Sequence, residues 1–313
     1  MTPVGSSPSL RRDLRNHQVG AVDLERVSTD DLMSLATDHG RVPMQVGAVL
    51  ILDTSAGVDP AALIGAVERR VPAIPRLRQR LVRPGIPFGR PIWVDDPRFR
   101  IEDHVSIAQS PTSKGMDGLL ATAADFLTTR LSSDRPLWAA LVVPDIDDSR
   151  TGLVIVLHHV LADGVAGLAI LAALADDSAG APEPRFPRPG PSRGQLALDA
   201  ARGHLVAIRR LPHTLARIGQ ALAQLGPSLR AHAAESSLNQ PTGAPQRFAI
   251  VDCDLAAVRN AAHANDATIN DVMLSAITGA LRHLLVERGE IVDEFVISVP
   301  FSSRRVAVNG ISW

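Results

Sequence analysis

The sequence predicts an α/β fold with mixed sheets, arranged as two domains. Three observations support it: apolar runs typical of strands alternate with helical patterns in both halves, 313 residues suffice for two domains, and five prolines lie within 178–193. Because such a segment favours a linker over regular structure, we place the domain boundary there. The predicted parts are a flexible N-terminus at 1–20, an N-terminal domain at 21–177, a linker at 178–193 and a partial C-terminal domain at 194–313.

Composition excludes several classes of protein. The formal net charge of -1 gives no overall field for nucleic acid, so no nucleic-acid partner is expected. The single cysteine, Cys253, rules out a disulfide within the chain and a multi-cysteine zinc site. No apolar segment follows the arginines near the N-terminus, and no run reaches the roughly 20 residues that span a bilayer. We therefore expect a cytoplasmic protein without a signal peptide.

The first half contains alternating strand and helix signals. Ser28 and two aspartates at 30–31 precede an apolar pattern and predict a capped helix. Asp59 and Pro60 predict the start of another helix, which runs to about Arg70. The remaining predictions are a buried strand at 46–53, an irregular stretch with short extended pieces at 72–97, a weak strand at 104–107, an amphipathic helix at 116–130, and a hairpin whose strand at 138–143 turns at 145–151 into the stretch 152–157.

The second half is predicted to be mainly helical. One or two long helices at 195–232 are expected to break near Leu211 and Pro212. Further helices are predicted at 255–264 and 267–288, with Gly289 as a candidate C-cap. Strands are predicted at 247–254 and 294–299.

The stretch 152–166 is the strongest functional signal. Five apolar residues, 153–157, predict a strand buried on both faces, and His158 and His159 follow where that strand ends. A histidine at such an edge suits a general base. Asp163 could share a metal with His159, or it could cap the helix that begins at Gly164. A structural histidine pair also fits, and the residue types alone do not separate these alternatives.

The pattern His-His-x-x-x-Asp-Gly after an apolar strand resembles the coenzyme A-dependent acyltransferase superfamily. Further segments, in the same order along the chain, resemble the bacterial wax ester synthase/acyl-CoA:diacylglycerol acyltransferase family. These segments are 43–53, 75–81, 134–138, 238–243 and 267–272. The resemblance covers about residues 28–305 and implies that family's two-domain fold.

The resemblance also implies a reaction and a set of site residues. Acyl-CoA would be the co-substrate, with no bound cofactor and no metal, and the acceptor would be diacylglycerol or a long-chain fatty alcohol. His159 would be the general base, with His158 beside it in the catalytic motif. Asp163 would be structural and pair with an arginine, and Gly164 would support the turn. Asn270 and Asp271 would face the cleft, although capping of their helix by Thr268, Asn270 or Asp271 explains the same residues.

Two rival functions and one question of location follow from the sequence. Members of this family continue well past Trp313, so we expect the chain to be truncated, and an inactive paralogue that binds lipid or a partner is one rival. A condensation-type transferase that uses carrier-protein thioesters is the other. Arginines on 195–232 fit contact with an anionic membrane, at the inner face of the plasma membrane or on a lipid droplet. A solvated bridge between domains fits them equally well.

Overall fold

The computed structural model describes residues 24–57, 59–109, 115–161, 164–175, 185–225, 235–240, 243, 246–290, 297 and 299. The chain divides into two compact units, Met1–Arg209 with Gly243–Ala249, and Arg210–Thr242 with Ile250–Trp313. All strands of the described residues belong to the first unit. The predicted flexible N-terminus at 1–20 lies outside the described residues.

Helices and strands alternate along the first unit, and helices follow in the second. The elements are α1 Thr29–Thr37, β1 Gln45–Asp53, α2 Pro60–Arg70, β2 Gln79–Val82, β3 Ile92–Asp95, β4 Val105–Ile107, α3 Gly115–Thr128, β5 Trp138–Asp147, β6 Arg150–His158, α4 Gly164–Ala175, α5 Arg193–Leu225, α6 Leu255–Ala264 and α7 Ile269–Glu287.

A four-stranded mixed sheet with the order β1-β6-β5-β4 forms the centre of the first unit. β6 pairs antiparallel with both β1 and β5, whereas β4 pairs parallel with β5. The predicted hairpin and mixed sheet are therefore confirmed. The segment 72–97, predicted to be irregular with short extended pieces, forms short 3₁₀ turns and the separate antiparallel hairpin of β2 and β3.

The strand β6 contributes to the core on both faces of the sheet, as its continuous apolar run predicted. Leu153, Ile155 and Leu157 pack into a core that also contains residues of α2 and α4, while Val154 and Val156 pack beneath α3. Gly152 permits close approach of α3, since a Cβ there would lie 2.5 Å from Leu119 Cδ1. His158 is thus the last residue of a strand that is held from both sides, and His159 follows it.

The prediction that β1 is a buried strand is correct for the strand and wrong for its burial. β1 lies at an edge of the sheet, and its residues alternate between half-buried and exposed along most of its length. Ile51, for example, is 42% exposed. An apolar run indicates a strand, but its position in the sheet decides how much of it is covered.

Two further predictions are corrected in the second half. The long helix does not break near Pro212, because α5 continues from Arg193 to Leu225 with the proline inside it. A proline removes one backbone donor, and the long helical segments on either side of Pro212 accommodate that loss. Residues 247–254 form no strand, since they have no ladder partner among the described residues.

The predicted helices α6 and α7 are confirmed with nearly the predicted bounds. Gly289 follows α7 with φ of +75°, and its N–H donates to the Val286 carbonyl, so it ends that helix as predicted. The predicted strand at 294–299 and the helical residues 226–232 lie outside the described residues, apart from positions 297 and 299. Of the predicted linker, 185–192 is described and contains no helix or strand.

Candidate active site

Backbone hydrogen bonds fix His158 and His159 between the two strands that flank β6. The His158 N–H donates to the Leu137 carbonyl, just before β5, at 2.9 Å. The His159 N–H donates to the Met44 carbonyl, just before β1, also at 2.9 Å. Because both neighbouring strands begin beside the histidines, the backbone at this point is rigid on both sides.

His158 is a buried side chain with both ring nitrogens engaged. It is 5% exposed, its Nδ1 accepts the Val160 N–H at 3.0 Å, and its Nε2 lies 3.3 Å from Asp38 Oδ2. Burial lowers the pKa of His158, and the neighbouring carboxylate of Asp38 only partly opposes this effect. The ring is therefore neutral at pH 7, with its proton on Nε2 directed at Asp38.

Asp38, which follows the last residues of α1, connects this histidine to two other groups. Its Oδ1 accepts the Met44 N–H at 2.9 Å, and its Oδ2 accepts from the Arg130 guanidinium at 2.6 Å. Burial opposes ionisation of this carboxyl, but hydrogen bonds from Met44, Arg130 and His158 outweigh it and lower the pKa of Asp38. An ionised Asp38 thus joins α1, the start of β1 and His158.

His159 lies in a different environment. Its ring is only partly buried, and Nδ1 lies 3.3 Å from the hydroxyl of Ser34 on α1. Nε2 has no hydrogen-bond partner among the described residues. If Nδ1–H donates to Ser34, the lone pair on Nε2 is available to accept a proton from a reactant.

The other predicted site residues do not all join this cluster. Asp163 lies outside the described residues, so neither its metal role nor its capping role is tested, and Gly164 is the first residue of α4. Asn270 and Asp271 lie in the first turn of α7, in the second unit.

Asp271 caps its own helix. The Thr268 hydroxyl accepts the Asp271 N–H at 3.2 Å, and Asp271 Oδ2 accepts the Thr268 N–H at 2.8 Å. This reciprocal pair is a capping box. The capping alternative from the sequence is confirmed, while a role for Asp271 in a cleft stays a prediction.

Comparison with known proteins assigns this chain to a family. The model for the wax ester synthase/diacylglycerol acyltransferase catalytic domain matches residues 27–273. The chain belongs to this family. The match includes α1, both histidines and the capped start of α7.

Curated relatives agree with that assignment. A probable diacylglycerol O-acyltransferase of Mycobacterium tuberculosis H37Rv is 31% identical over 272 residues, which cover 84% of this chain and 58% of that protein. A putative diacylglycerol O-acyltransferase of strain CDC 1551 is 31% identical over 94% of this chain and 62% of its own length. This chain therefore spans about three fifths of the curated relatives that it matches.

The fold has a solved counterpart. The wax ester synthase/diacylglycerol acyltransferase from Marinobacter aquaeolei VT8 superposes with a TM-score of 0.60 at 20% identity, covering 85% of this chain and 62% of that one. The predicted fold class, mixed α/β of the acyltransferase type, is confirmed. This likeness concerns the fold alone.

Sequence reasoning missed three residues around the histidines, namely Ser34, Asp38 and Arg130. Ser34 and Asp38 are four residues apart at the end of a correctly predicted helix, which places them on the same side of it. Nothing in that spacing connects them to a motif more than a hundred positions away. The only signal in the sequence was that Ser34 and Asp38 form a polar stripe on the predicted helix α1.

Proposed function

We propose that this chain carries the transfer site of an enzyme that moves a fatty acyl group from acyl-CoA to the hydroxyl of diacylglycerol or a long-chain alcohol. The observation that carries the proposal is the contrast between two adjacent histidines. His158 has both ring nitrogens engaged, whereas Nε2 of His159 is unengaged among the described residues. Membership of the acyltransferase family supports this reaction, with acyl-CoA as a co-substrate.

His159 acts as the general base. The acceptor hydroxyl loses its proton to Nε2 as its oxygen forms a bond to the thioester carbonyl carbon. The carbon–sulfur bond then breaks, and the imidazolium returns the proton to the thiolate of CoA. Such help is typically worth ~10²–10⁴ in rate. Since a thioester is already activated, no covalent enzyme intermediate is needed.

Ser34 is the positioning residue for that base. A hydroxyl at 3.3 Å from Nδ1 can accept the Nδ1–H in both the neutral ring and the imidazolium. When the hydroxyl accepts in this way, Nε2 of the neutral ring is unprotonated before reaction. The role of Ser34 is to orient His159 and not to touch the substrate.

Asp38, Arg130 and His158 form the support beside the base. Their hydrogen bonds join the end of α1 to the end of β6 and to Arg130, which lies two residues beyond α3. Because His158 is neutral and donates to Asp38, it is poorly suited to collect a proton from a reactant. His158 instead contributes by fixing the end of β6, so that the next residue, His159, is held in place. Asp163 is proposed to support the same turn through an arginine.

The test of this proposal compares the two histidines. His159→Ala is expected to lower transfer from labelled acyl-CoA to hexadecanol or dioleoylglycerol by about 10²-fold or more. His158→Ala is expected to leave a measurable fraction, with a loss of stability because it empties a buried polar position. His158→Asn, which can retain an acceptor near Nδ1, serves as the matched variant.

Circular dichroism and thermal unfolding of each variant provide the control for folding. Equal loss of transfer in the two alanine variants, with both folded, would contradict the division of roles. Activity in His159→Ala close to that of the original chain would remove His159 as the base.

We also propose that α5 contacts anionic lipid at a membrane or lipid-droplet surface. Among the described residues no helix has the length and apolarity needed to cross a bilayer. α5 instead separates two kinds of exposed side chain on opposite sides. Its apolar side carries Leu205, Ile208, Leu211, Leu215, Ile218 and Leu222, and its basic side carries Arg202, Arg209, Arg210 and Arg217. A helix of this kind lies in the plane of a lipid surface.

A further inference from the structure

The first unit contains a groove that none of the residues around the histidine pair lines. It is bounded by the β2–β3 hairpin, the proline-rich segment 187–191 and the first turn of α5, and its volume is about 620 Å³. Sites for small organic ligands commonly fall between ~300 and 1,000 Å³. The groove is thus large enough for a lipid-sized molecule.

Most of the groove surface is apolar. Val82 and Ile92 are paired in the hairpin, and Val94 lies beside them on the same face of β2 and β3. Phe88 and Leu196 extend this surface, together with three prolines of the facing segment. An elongated apolar ligand in this groove would therefore have most of its surface removed from water, which favours binding.

The proline-rich segment is fixed to the hairpin by specific contacts. The Arg188 guanidinium donates to Asp95 at 2.8 and 3.0 Å, and the Arg188 N–H donates to the same carboxylate at 2.9 Å. The guanidinium of Arg78 stacks on the ring of Phe186 at 3.9 Å. These contacts shape the groove before any ligand enters. The pair with Arg188 also neutralises Asp95, the acidic residue in the lining.

Two further arginines in the lining lack such a partner. Arg80 lies on the same face of β2 as Val82 and opposite Val94. Its Nε is buried without a hydrogen-bond acceptor. Neither the Arg80 nor the Arg193 side chain forms a hydrogen bond or ion pair with any of the described residues. A buried donor without an acceptor is costly, so an anion at this position would be favourable.

We propose that this groove binds a long-chain amphiphile with an anionic head group. The chain would lie along the apolar face of the hairpin, and the head group would lie at Arg80 and Arg193. The first turn of α5 also lines the groove and adds the partial positive charge of a helix N-terminus. Fatty carboxylates and monoacyl phosphates share the required chemistry.

The experiment is equilibrium dialysis of the full 313-residue chain against labelled ligands below their micellar concentration. Palmitate and palmitoyl lysophosphatidate test the two kinds of head group. Hexadecanol supplies the chain without the charge, and inorganic phosphate supplies the charge without the chain. We expect one anionic amphiphile bound per chain, and binding of hexadecanol and of phosphate that is weaker by at least about tenfold.

Variants locate the binding in this groove. Arg80→Gln is expected to weaken binding of the preferred amphiphile about tenfold, as loss of a charge-assisted contact predicts. Val82→Trp fills the groove and is expected to weaken binding of the amphiphile as strongly as Arg80→Gln does. Arg83→Gln is the matched control, because Arg83 is an exposed residue directly after β2 and does not line the groove. It should change the affinity less than about twofold.

Several results would overturn the proposal. They are equal binding of hexadecanol and palmitate, unchanged affinity in folded Arg80→Gln and Val82→Trp, or no binding of either anionic amphiphile. The readout is binding and not acyl transfer, so a chain inactive in transfer can still pass this test. Conversely, failure here leaves the role of His159 intact.

Discussion

His158 and His159 are neighbours in the chain, yet α1 contacts them through different side chains. Asp38 accepts from the buried ring of His158, whereas the hydroxyl of Ser34 lies beside Nδ1 of the accessible ring of His159. A carboxylate next to His159 would stabilise the imidazolium more strongly than a hydroxyl does. In the proposed mechanism, the neutral hydroxyl would orient His159 while leaving this base free to return its proton.

Ser34→Ala tests this orienting role. We expect kcat for acyl transfer to fall roughly two- to tenfold with KM little changed, since one hydrogen bond contributes about 0.5–1.5 kcal/mol. Alanine is the better helix former, so α1 should remain folded. The measurement is steady-state transfer together with ¹⁵N chemical shifts of the His159 ring, which report its tautomer.

Ser34→Thr, which keeps the hydroxyl, should restore most of kcat and the original tautomer. A Ser34→Ala chain with unchanged tautomer and unchanged kcat would show that the contact has no positioning role.

Asp38→Asn tests whether the ionised carboxylate of Asp38 stabilises the folded protein. Because the folded protein holds the pKa of Asp38 below its ordinary value of 3.8, the carboxylate contributes stability above that pH. This contribution is lost as the pH falls through the lower pKa of the folded state. We expect Asp38→Asn to lower the free energy of unfolding by about 1–3 kcal/mol at pH 7. The difference from the original chain should shrink below pH 3.8.

Urea unfolding at pH 7, 5 and 3.5 measures this difference. Tryptophan fluorescence is a suitable signal, because Trp93 and Trp138 are both buried in the first unit. Asp53→Asn is a matched control, since among the described residues that carboxylate bonds only with neighbouring Ser55. A difference that stays constant with pH would mean that the charge of Asp38 is not what stabilises the site.

At the scale of the element, helix ends decide what several polar residues do. Ser28 caps α1, Asp59 caps α2, Asp254 caps α6 and Thr268 caps α7, each by accepting a backbone N–H of the first turn. Asp271 completes the last of these caps. Its hydrogen bonds are thus explained without a substrate.

The cap at α7 can be tested against a role in transfer. Thr268→Ala and Asp271→Ala are each expected to lower the thermal stability of the second unit, by about 0.5–2 kcal/mol for the capping threonine. If Asp271 only caps its helix, both variants should lose transfer activity to the same small extent. The measurement is calorimetric unfolding combined with the transfer assay.

Asn270→Ala is the control for stability, because Asn270 makes no capping contact within the described residues. Should Asp271→Ala abolish transfer while Thr268→Ala does not, the carboxylate would act in the cleft as well as in the cap.

At the scale of the whole molecule, the question is where the protein works. The proposed acceptor, diacylglycerol or a long-chain alcohol, resides in lipid, so lipid contact through α5 would bring the protein to it. We expect the chain to sediment with liposomes that contain anionic lipid and not with neutral ones, and salt should weaken this binding. Arg209→Gln with Arg210→Gln should weaken it tenfold or more, at about 1 kcal/mol for each arginine near the surface.

Arg282→Gln, an exposed arginine on α7, is the control for loss of charge alone. Sedimentation that is insensitive to anionic lipid, salt and the arginine substitutions would remove lipid contact as the role of α5. The solvated face proposed as the alternative would then explain its arginines.

Local patterns in the sequence were sufficient for most elements of the fold. Caps such as Ser28 and Asp59, the continuous apolar run before His158 and the periodic stripe of α7 each depend on neighbouring residues, so helices and strands followed from them. The exposed edge of β1 and the missing strand at 247–254 did not follow. Pairing partners come from distant parts of the chain and have no local signature.

The sequence by itself determined the histidine motif, its place at the end of a buried strand and the resemblance to an acyltransferase family. The structure alone decided how the two histidines differ. Ser34 and Asp38 reach them across more than a hundred residues, through packing of α1 beside the ends of β1 and β6. Burial and a carboxylate engage His158, while partial exposure and a hydroxyl leave His159 available. Chemistry of this kind depends on distances between groups far apart in the chain, which only the folded molecule sets.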